Sequence, residues 1–271
     1  MKIGLIGAEN SHTVGFCEAV VKNKKYPGYE ITHVYGADSP AACEKLIANY
    51  GLKECASEEE IIGLCDVLVI TYRKGSRHYE AAMKALKAGK PIYNDKPFTT
   101  CSGQAKEITD YASKNNILLC GGSTIKGNKG LAPLAGKIKP GSTVVISYSA
   151  DPESEYDGFW FYGIHSVETC IKLLGQDFKS VSAYRAGKSV IANVSYGDIK
   201  CVIINAPDGS GPYVSIMSGD SAETFKLPSD DEPVAANELV GMLETGKPPY
   251  DYSFYVAATK LMEEIYASAK L

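Results

Sequence analysis

Two kinds of hydrophobic spacing alternate along the first half of the chain. Short runs rich in apolar and β-branched residues predict buried strands, as at Lys2 to Ile6 and Val67 to Ile70. Segments with apolar residues at helical spacing lie between such runs, as at Thr13 to Val21 and Tyr79 to Ala88. This alternation predicts a parallel β-sheet with helices on both faces, so we expect an α/β domain over residues 1–122.

The spacing changes in the second half. Several β-rich runs separated by turn residues lie between Phe178 and Phe225, a pattern typical of consecutive antiparallel strands. Helical spacing is found at Ile164 to Leu174, Asp231 to Glu244 and Ser253 to Ala269. We therefore expect an α+β domain with a largely antiparallel open sheet over residues 123–271, whose last two helices could pack back on the first domain.

The composition is that of an ordinary globular protein and narrows the choice of partners. The chain has 271 residues, 45% hydrophobic and 22% charged, which suits one large or two modest domains with a buried core. A net charge of −4 argues against nucleic acid as the main partner. The first apolar stretch is too short for a signal peptide, and no run is long enough for a transmembrane helix, so we expect no membrane partner.

The eight cysteines are scattered along the chain. No two of them have C-x-x-C spacing, which argues against a zinc ribbon or a thioredoxin motif, and we expect no bound metal. Their neighbours are mostly apolar or helical. Buried, reduced thiols in a cytoplasmic protein are the favoured interpretation.

A glycine turn follows the first predicted strand, where dinucleotide-binding proteins carry Gly-x-Gly-x-x-Gly. The segment here reads Gly-Ala-Glu-Asn-Ser-His, so Gly7 is present and the other two glycines are not. Glu9 takes the second glycine position, where a carboxylate would repel phosphate oxygens. Asn10 or Ser11 could cap the following helix, and His12 could contact a ligand or simply lie on its first turn. A structural turn and a cofactor-binding turn are both compatible with this pattern.

Acidic residues and a lysine lie at predicted strand ends. Asp38 follows the second strand, where a carboxylate can accept hydrogen bonds from an adenosine ribose and disfavour a 2′-phosphate. Asp38 also fits an ordinary helix entry. Asp95-Lys96-Pro97 ends the strand that begins at Ile92, at the sheet edge where open α/β folds bind ligands. Lys96 can act as a base near neutral pH only if burial or a neighbouring charge lowers its pKa.

Two more segments allow more than one interpretation. The basic loop from Arg73 to His78 could hold a cofactor phosphate or an anionic substrate group, although a solvated loop is slightly favoured. The aromatic segment from Asp157 to Tyr162 contains Trp160, the only tryptophan. Core packing of a seam between the two expected domains and a stacking wall for a sugar or nicotinamide ring fit this segment equally well.

The order and spacing of these motifs resemble the Gfo/Idh/MocA family of nicotinamide-dependent oxidoreductases, over nearly the whole chain. Asp95-Lys96-Pro97 resembles the family's Glu-Lys-Pro signature, and the segment around His165 resembles its Gly-x-His segment opening a helix. The strand before Thr71, the following His78 and the late Thr-Gly-Lys-Pro-Pro loop also match. The resemblance implies a Rossmann domain that binds NAD or NADP, a second domain with an open antiparallel sheet, and homo-oligomers formed through that sheet.

The resemblance also implies roles for individual residues. Lys96 would contact cofactor and substrate, and His165 would transfer a proton to or from the substrate oxygen. The cofactor would lie against the turn and the strand ends, at Gly7, Glu9, Asn10, Ser11, His12, Asp38, Thr71, His78, Asp95, Lys96 and Pro97. The acidic residue at position 38 favours NAD over NADP.

The chain departs from the family pattern in three places. The turn lacks two glycines, Asp95 replaces a glutamate, and Phe161 stands where the family often has an aspartate four residues before the histidine. Glu168, on the same helical face as His165, or Asp157 could supply the orienting carboxylate instead. Glu168 and Trp160 are the candidates for contact with the substrate.

The leading hypothesis is an NAD(P)-dependent dehydrogenase or reductase that transfers a hydride between nicotinamide and a sugar, polyol or similar small alcohol. A second hypothesis is a binding or regulatory protein that keeps the fold without redox turnover, which the missing glycines favour. A third keeps the cofactor but uses transient oxidation to drive elimination or glycoside cleavage.

Overall fold

The computed structural model describes residues 1–208, 211–228 and 233–271, which form two compact units. The first unit contains residues 1–99, 103–122 and 233–252. The second contains residues 100–102, 123–208, 211–228 and 253–271. Each unit is built around one six-stranded sheet.

The sheet of the first unit is parallel. Its strands are, in chain order, Lys2–Ile6 (β1), Glu30–Tyr35 (β2), Lys53–Glu54 (β3), Val67–Ile70 (β4), Ile92–Asp95 (β5) and Leu119–Gly122 (β6). They pair in the order β3-β2-β1-β4-β5-β6. The order of strand addition reverses between β1 and β4, and loops that diverge at such a point leave a crevice at the carboxyl ends of the strands.

The sheet of the second unit is mostly antiparallel. Its strands are Thr143–Ser149 (β7), Ser180–Ala186 (β8), Ser189–Tyr196 (β9), Ile199–Ala206 (β10), Tyr213–Ser218 (β11) and Ser221–Lys226 (β12). They pair in the order β12-β11-β7-β10-β9-β8, and the β7–β10 pair is parallel. The predicted fold class, a parallel-sheet domain followed by a largely antiparallel one, is confirmed.

Helices cover both sheets. They are Ser11–Cys17 (α1), Pro40–Tyr50 (α2), Glu58–Leu64 (α3), His78–Lys87 (α4), Ser102–Lys114 (α5), Leu131–Ala135 (α6), Trp160–Leu174 (α7), Val234–Thr245 (α8) and Tyr252–Ala269 (α9). Helix α1 continues into a π-helical segment at Glu18–Lys22, and short 3₁₀ turns occur at Gly75–Arg77 and Thr124–Gly127.

The hydrophobic core of the first unit includes a helix from late in the chain. Leu239 and Met242 of α8 belong to one buried cluster with Ile3 and Leu5 of β1 and with Phe16 of α1. Burying a side chain of this size stabilises a fold by roughly 1.5–3 kcal/mol. Helix α8 therefore contributes to the first unit, although it follows the second sheet in the sequence.

Helix α7 begins at Trp160, about one turn before the predicted start at Ile164. Its first turn is part of the aromatic segment, where apolar side chains on successive positions give no helical spacing. Gly163 lies inside the helix, at a position with little room for a side chain. A Cβ there would be 2.7 Å from the ring of Phe159 and 2.8 Å from the methyl carbon of Met262. The expectation that His165 stands at the start of a helix is therefore wrong.

Smaller differences occur at other helix ends. Helix α1 begins at Ser11, before the expected Thr13, because the Asn10 side chain caps it by accepting the N–H of His12. Helix α4 lies one residue earlier than expected. The helix expected from Asp231 begins at Val234 and has Pro233 as its N-cap. Residues 231 and 232 lie outside the described residues.

Candidate functional site

The turn after β1 requires glycine at its first position. Gly7 has a φ of +105°, and a Cβ there would lie 2.9 Å from the backbone nitrogen of Tyr72. The hydroxyls of Thr13 and Thr71 lie 3.2 and 3.1 Å from the Gly7 carbonyl oxygen and 2.8 Å from each other. Thr71 is fully buried, so its hydroxyl holds the turn against the end of β4.

Asp38 links the end of β2 to the same turn. Its carboxylate accepts hydrogen bonds from the backbone N–H groups of Ala8, at 2.9 Å, and Glu9, at 3.1 Å. The cap of α2 is the next residue, Ser39, whose side chain accepts the N–H of Ala42. A carboxylate has about four lone-pair positions, so Asp38 can hold the turn and still accept hydrogen bonds from ribose hydroxyls.

The carboxylate at the second glycine position faces an arginine. Oε1 of Glu9 lies 3.6 Å from Nη1 of Arg73, and both side chains are partly exposed. An ion pair at this exposure contributes only about 0–1 kcal/mol to stability. Its electrostatic consequence is larger, because Arg73 offsets the negative charge that Glu9 brings to the turn. The neighbouring Arg77 instead stacks on the ring of Tyr72, with its guanidinium carbon 3.7 Å from the ring centroid.

A buried carboxylate joins β5 to the start of α1. Asp95 accepts a hydrogen bond from Nδ2 of Asn10 at 2.9 Å and lies 2.8 Å from Nδ1 of His12. Burial alone raises the pKa of Asp95, but the charge and hydrogen bond of His12, with the charge of Lys96, hold that pKa below its ordinary value. An ionised Asp95 therefore fixes two of the residues that replace the usual glycine motif.

Lys96 directly follows β5 and is 3% exposed. Burial lowers its pKa to about 8, helped by the positive charge of Arg73 and opposed by Asp95. An amine with this pKa exchanges its proton close to neutral pH, as a general acid or base must. The Lys96–Pro97 peptide bond is cis, and Pro97 is buried.

His78 and Ser11 have different surroundings from the other predicted cofactor residues. His78 is fully buried, and its Nε2 lies 2.7 Å from the carbonyl oxygen of Tyr72. Burial lowers the pKa of His78, so the neutral ring donates to this carbonyl and supports the loop that carries Arg73. Ser11 is exposed at the first position of α1.

The first unit thus brings most of the predicted cofactor residues to one edge of its sheet. Asp38, Thr71 and Asp95 connect the turn after β1 with the ends of β2, β4 and β5. A dinucleotide fits these residues in two respects, the close backbone approach at Gly7 and the carboxylate of Asp38. At the position of the phosphates, the fit of a dinucleotide depends on Arg73, whose positive charge offsets the negative charge of Glu9.

The second unit places a hydroxyl beside the predicted catalytic histidine. Nδ1 of His165 lies 2.6 Å from Oγ of Ser123, the first residue after β6, and His165 is 5% exposed. The rings of Tyr148 and Tyr162 have their centroids 4.9 and 5.4 Å from the imidazole centroid. The hydroxyl of Ser123 thus occupies the position at Nδ1 of His165 that an orienting carboxylate would take.

Glu168 and a buried lysine hold Ser123 instead. Oε1 of Glu168 accepts the backbone N–H of Ser123 at 3.0 Å. Nζ of Lys126 donates to the carbonyl oxygen of Ser123 at 2.8 Å, and both charged residues are 1% exposed. We call Ser123, Lys126, His165 and Glu168 the Ser123 cluster.

Trp160 and Phe161 are packing residues within the second unit. The Trp160 ring stacks on Tyr266 of α9 at a centroid distance of 5.4 Å and an interplanar angle of 20°. Phe161 packs on Tyr156 at 4.8 Å. Both are packing contacts inside the second unit.

Ser123, Lys126 and Tyr148 were missed from the sequence. Ser123 could have been found by the same rule that found Lys96, because each directly follows a parallel strand. Lys126 and Tyr148 carry no such signal, since only the packing of the second unit buries them beside Ser123 and His165.

Within residues 1–208, 211–228 and 233–271, no group of three or more His, Cys, Asp or Glu side chains could hold a metal ion. In the same part of the chain, no helix has the length and apolar character needed to cross a membrane.

Comparison with known proteins matches the first 122 residues to the family suggested by the motifs. Residues 1–122 match the GFO_IDH_MocA family model, described as an oxidoreductase family with an NAD-binding Rossmann fold. Over 224 residues the chain is 23% identical to the uncharacterized oxidoreductase YhhX of Escherichia coli (strain K12). That match covers 69% of this chain and 64%, less than two thirds, of YhhX.

Solved structures share the fold of the whole chain. GenD2 from gentamicin A biosynthesis, in complex with NAD, is 14% identical with a TM-score of 0.83, covering 100% of this chain and 94% of its own. The UDP-N-acetylglucosamine 3-dehydrogenase GnnA of Acidithiobacillus ferrooxidans is 16% identical with a TM-score of 0.79, covering 100% and 98%. Biliverdin reductase of Synechocystis sp. PCC 6803, with biliverdin and NADP+, is 15% identical with a TM-score of 0.77, covering 100% and 99%.

Proposed function

Because residues 1–122 belong to the Gfo/Idh/MocA oxidoreductase family, we propose that this protein is an NAD(P)-dependent dehydrogenase or reductase of a sugar, polyol or similar small alcohol. The observation that carries the proposal is Lys96, buried at the carboxyl end of β5 with its pKa lowered to about 8. The nicotinamide would supply or accept the hydride, chemistry that no side chain provides. A structure of the same fold is by name a UDP-N-acetylglucosamine 3-dehydrogenase, which supports a sugar-like substrate.

The proposed role of Lys96 is proton transfer at the substrate oxygen. As a neutral amine, Nζ accepts the proton of a substrate hydroxyl. As an ammonium group, it stabilises negative charge that develops on that oxygen. Both forms are populated near neutral pH because the pKa of Lys96 is lowered to about 8. In the second unit, His165 is the residue proposed to act on a substrate oxygen.

We propose NAD as the cofactor. The residues that would hold it are those at the strand ends of the first unit, with Gly7 at the closest backbone approach and Asp38 on the adenosine ribose. A carboxylate at this position accepts from the ribose 2′-hydroxyl and repels a 2′-phosphate. Structures of the same fold are complexes with NAD and with NADP+, so the preference for NAD is supported by Asp38 alone.

The test is turnover with NAD+ and a panel of sugars and polyols, followed by the absorbance of reduced nicotinamide. Lys96→Met should lower turnover by about 10² or more, because it removes the proton-transfer group. Lys114→Met, at an exposed position of α5, is the matched control and should retain activity. Equal turnover by Lys96→Met and the native chain would exclude the proposed role.

A second candidate is a protein that binds a dinucleotide without redox turnover. The observation that favours it is Glu9 at a phosphate position, paired with Arg73 at 3.6 Å. Glu9→Gly should then strengthen NAD+ binding, yet neither chain should reduce NAD+ with any substrate. Turnover that Lys96→Met abolishes would exclude this candidate.

We also propose that the protein self-associates through the open face of its second sheet. The strand register places Val145, Ile191, Val202, Ile204 and Met217 on one face, and each is at least partly exposed. The same face also carries Ser147, Asn193 and Ser215. Exposed apolar side chains with polar residues around them are typical of an interface. Ile204→Asp should lower the mass measured by light scattering, whereas Leu64→Asp, at an exposed leucine of α3, should not. A native mass equal to one chain would contradict the proposal.

A further inference from the structure

The hydrogen-bond partner of His165 differs in kind from the carboxylate that usually orients a catalytic histidine. A carboxylate can only accept, so it holds the imidazole proton on the nitrogen that faces it. A hydroxyl can donate or accept, so it is compatible with either tautomer. The tautomer of His165 therefore depends on which way the Ser123 hydroxyl is directed.

The surroundings of Ser123 fix its position. Its backbone N–H donates to Oε1 of Glu168 at 3.0 Å, and its carbonyl oxygen accepts from Nζ of Lys126 at 2.8 Å. Its Oγ accepts the backbone N–H of Ile125 at 3.2 Å. Both peptide groups and the side chain of Ser123 are thereby held while Oγ faces His165.

The proton of this hydroxyl has one acceptor. Within the residues that the structure describes, the hydrogen-bond acceptor next to Oγ is Nδ1 of His165, 2.6 Å away. Ser123 is fully buried, so a proton directed elsewhere would be left unpaired at the cost of a lost hydrogen bond. The hydroxyl therefore donates to Nδ1, and the neutral ring carries its own proton on Nε2.

We propose that Ser123 is a positioning residue that holds neutral His165 as the Nε2–H tautomer, so that His165 serves as a hydrogen-bond donor to the substrate oxygen and not as the base. The assignment of a substrate rests on the proposed function, whereas the tautomer does not. A neutral imidazole that polarises an oxygen in this way is an established catalytic device.

The other groups around His165 are compatible with a neutral ring. Tyr148 of β7 and Tyr162 of α7 flank the imidazole, and burial raises the pKa of Tyr148, so that phenol stays uncharged. Lys126 and Glu168 of the Ser123 cluster both contact the backbone of Ser123. The hydrogen bond at Nδ1 is made by the uncharged hydroxyl.

Nitrogen-15 NMR of histidine-labelled full-length protein tests the tautomer without cofactor or substrate. The chain has four histidines, and His165→Gln identifies the signals of His165. Above about pH 8, where an ordinary histidine is neutral, we expect the proton on Nε2 and a hydrogen-bonded, unprotonated Nδ1. Ser123→Ala should shift the Nδ1 signal towards that of a nitrogen without a hydrogen bond.

Ser123→Asp should transfer the proton to Nδ1 and raise the pH at which the ring titrates, because a carboxylate accepts and is negative. Ser166→Ala is the matched control, since it removes a buried hydroxyl of α7 that bonds Asn205 and leaves the imidazole partner in place. A native spectrum with the proton on Nδ1 would overturn the proposal, as would an Nδ1 signal unchanged by Ser123→Ala. The spectrum of the native chain requires no variant except His165→Gln, which assigns the signals. NAD+ binding is measured separately, so a failure of the tautomer proposal is distinguishable from a failure of the proposed function.

Discussion

Replacing Lys96 by methionine should remove a pH-dependent destabilisation of the folded chain. Lys96 is buried, and its burial lowers its pKa from 10.5 to about 8. Methionine has a similar length but no charge, so Lys96→Met deletes the desolvation cost and keeps most of the packing volume. The predicted change is in the free energy of unfolding, and its sign depends on pH.

The size of the effect follows from the two pKa values. Between about pH 8 and 10.5 the unfolded chain binds more protons at Lys96 than the folded chain does, so stability rises with pH in this window. The lowering of the pKa corresponds to a destabilisation of the folded chain by about 3 kcal/mol. This destabilisation is present in full below about pH 8 and absent above about pH 10.5. The free energy of unfolding of Lys96→Met, minus that of the native chain, should therefore be larger at pH 7 than at pH 10.5 by about 3 kcal/mol.

Urea unfolding of both chains across this range measures the difference directly. Comparing the chains cancels other groups that titrate in the same window, such as tyrosines. Lys114→Met, at an exposed lysine, removes the same charge and should show no comparable pH dependence. A Lys96→Met difference that stays constant from pH 7 to 10.5 would refute the assignment of a lowered pKa to Lys96.

Three other predictions concern the residues around the site. Gly7→Ala should cost about 1–3 kcal/mol in urea unfolding because of the positive φ and the clash with Tyr72, whereas Gly63→Ala in α3, which meets no neighbouring atom, should be neutral or stabilising. Leu239→Ala should cost roughly 2–5 kcal/mol if α8 completes the first core, and an unchanged unfolding midpoint would contradict that packing. Asp95→Asn should cost about 1–3 kcal/mol at pH 7; because the pKa of Asp95 is lowered on folding, the difference from the native chain should shrink below about pH 4.

The sequence predicted those parts of the fold that depend on local spacing. The alternation of strands and helices gave the parallel sheet and so placed Gly7, Asp38 and Lys96 at one edge of it. Helix α7 was predicted too short because an aromatic segment has no periodic signal, and because Gly163 looked like a helix boundary. In the structure that glycine is a packing requirement of Phe159 and Met262.

The partners of the site residues could not be predicted from spacing. Asn10 and Asp95 are 85 positions apart, and Ser123 and His165 are 42 apart, so only tertiary packing brings each pair together. The sequence suggested Glu168 as the orienting carboxylate because it shares a helical face with His165. Glu168 is instead held by the backbone of Ser123, which approaches from a different element.

Calorimetric titration with NAD+ and NADP+ tests the central claim, that the first unit binds a nicotinamide cofactor. We expect saturable binding of NAD+ with a dissociation constant below about 1 mM. NADP+ should bind more weakly, and Asp38→Asn should narrow the difference, because the carboxylate that repels a 2′-phosphate is gone. No heat of binding from either dinucleotide up to about 1 mM would contradict the account.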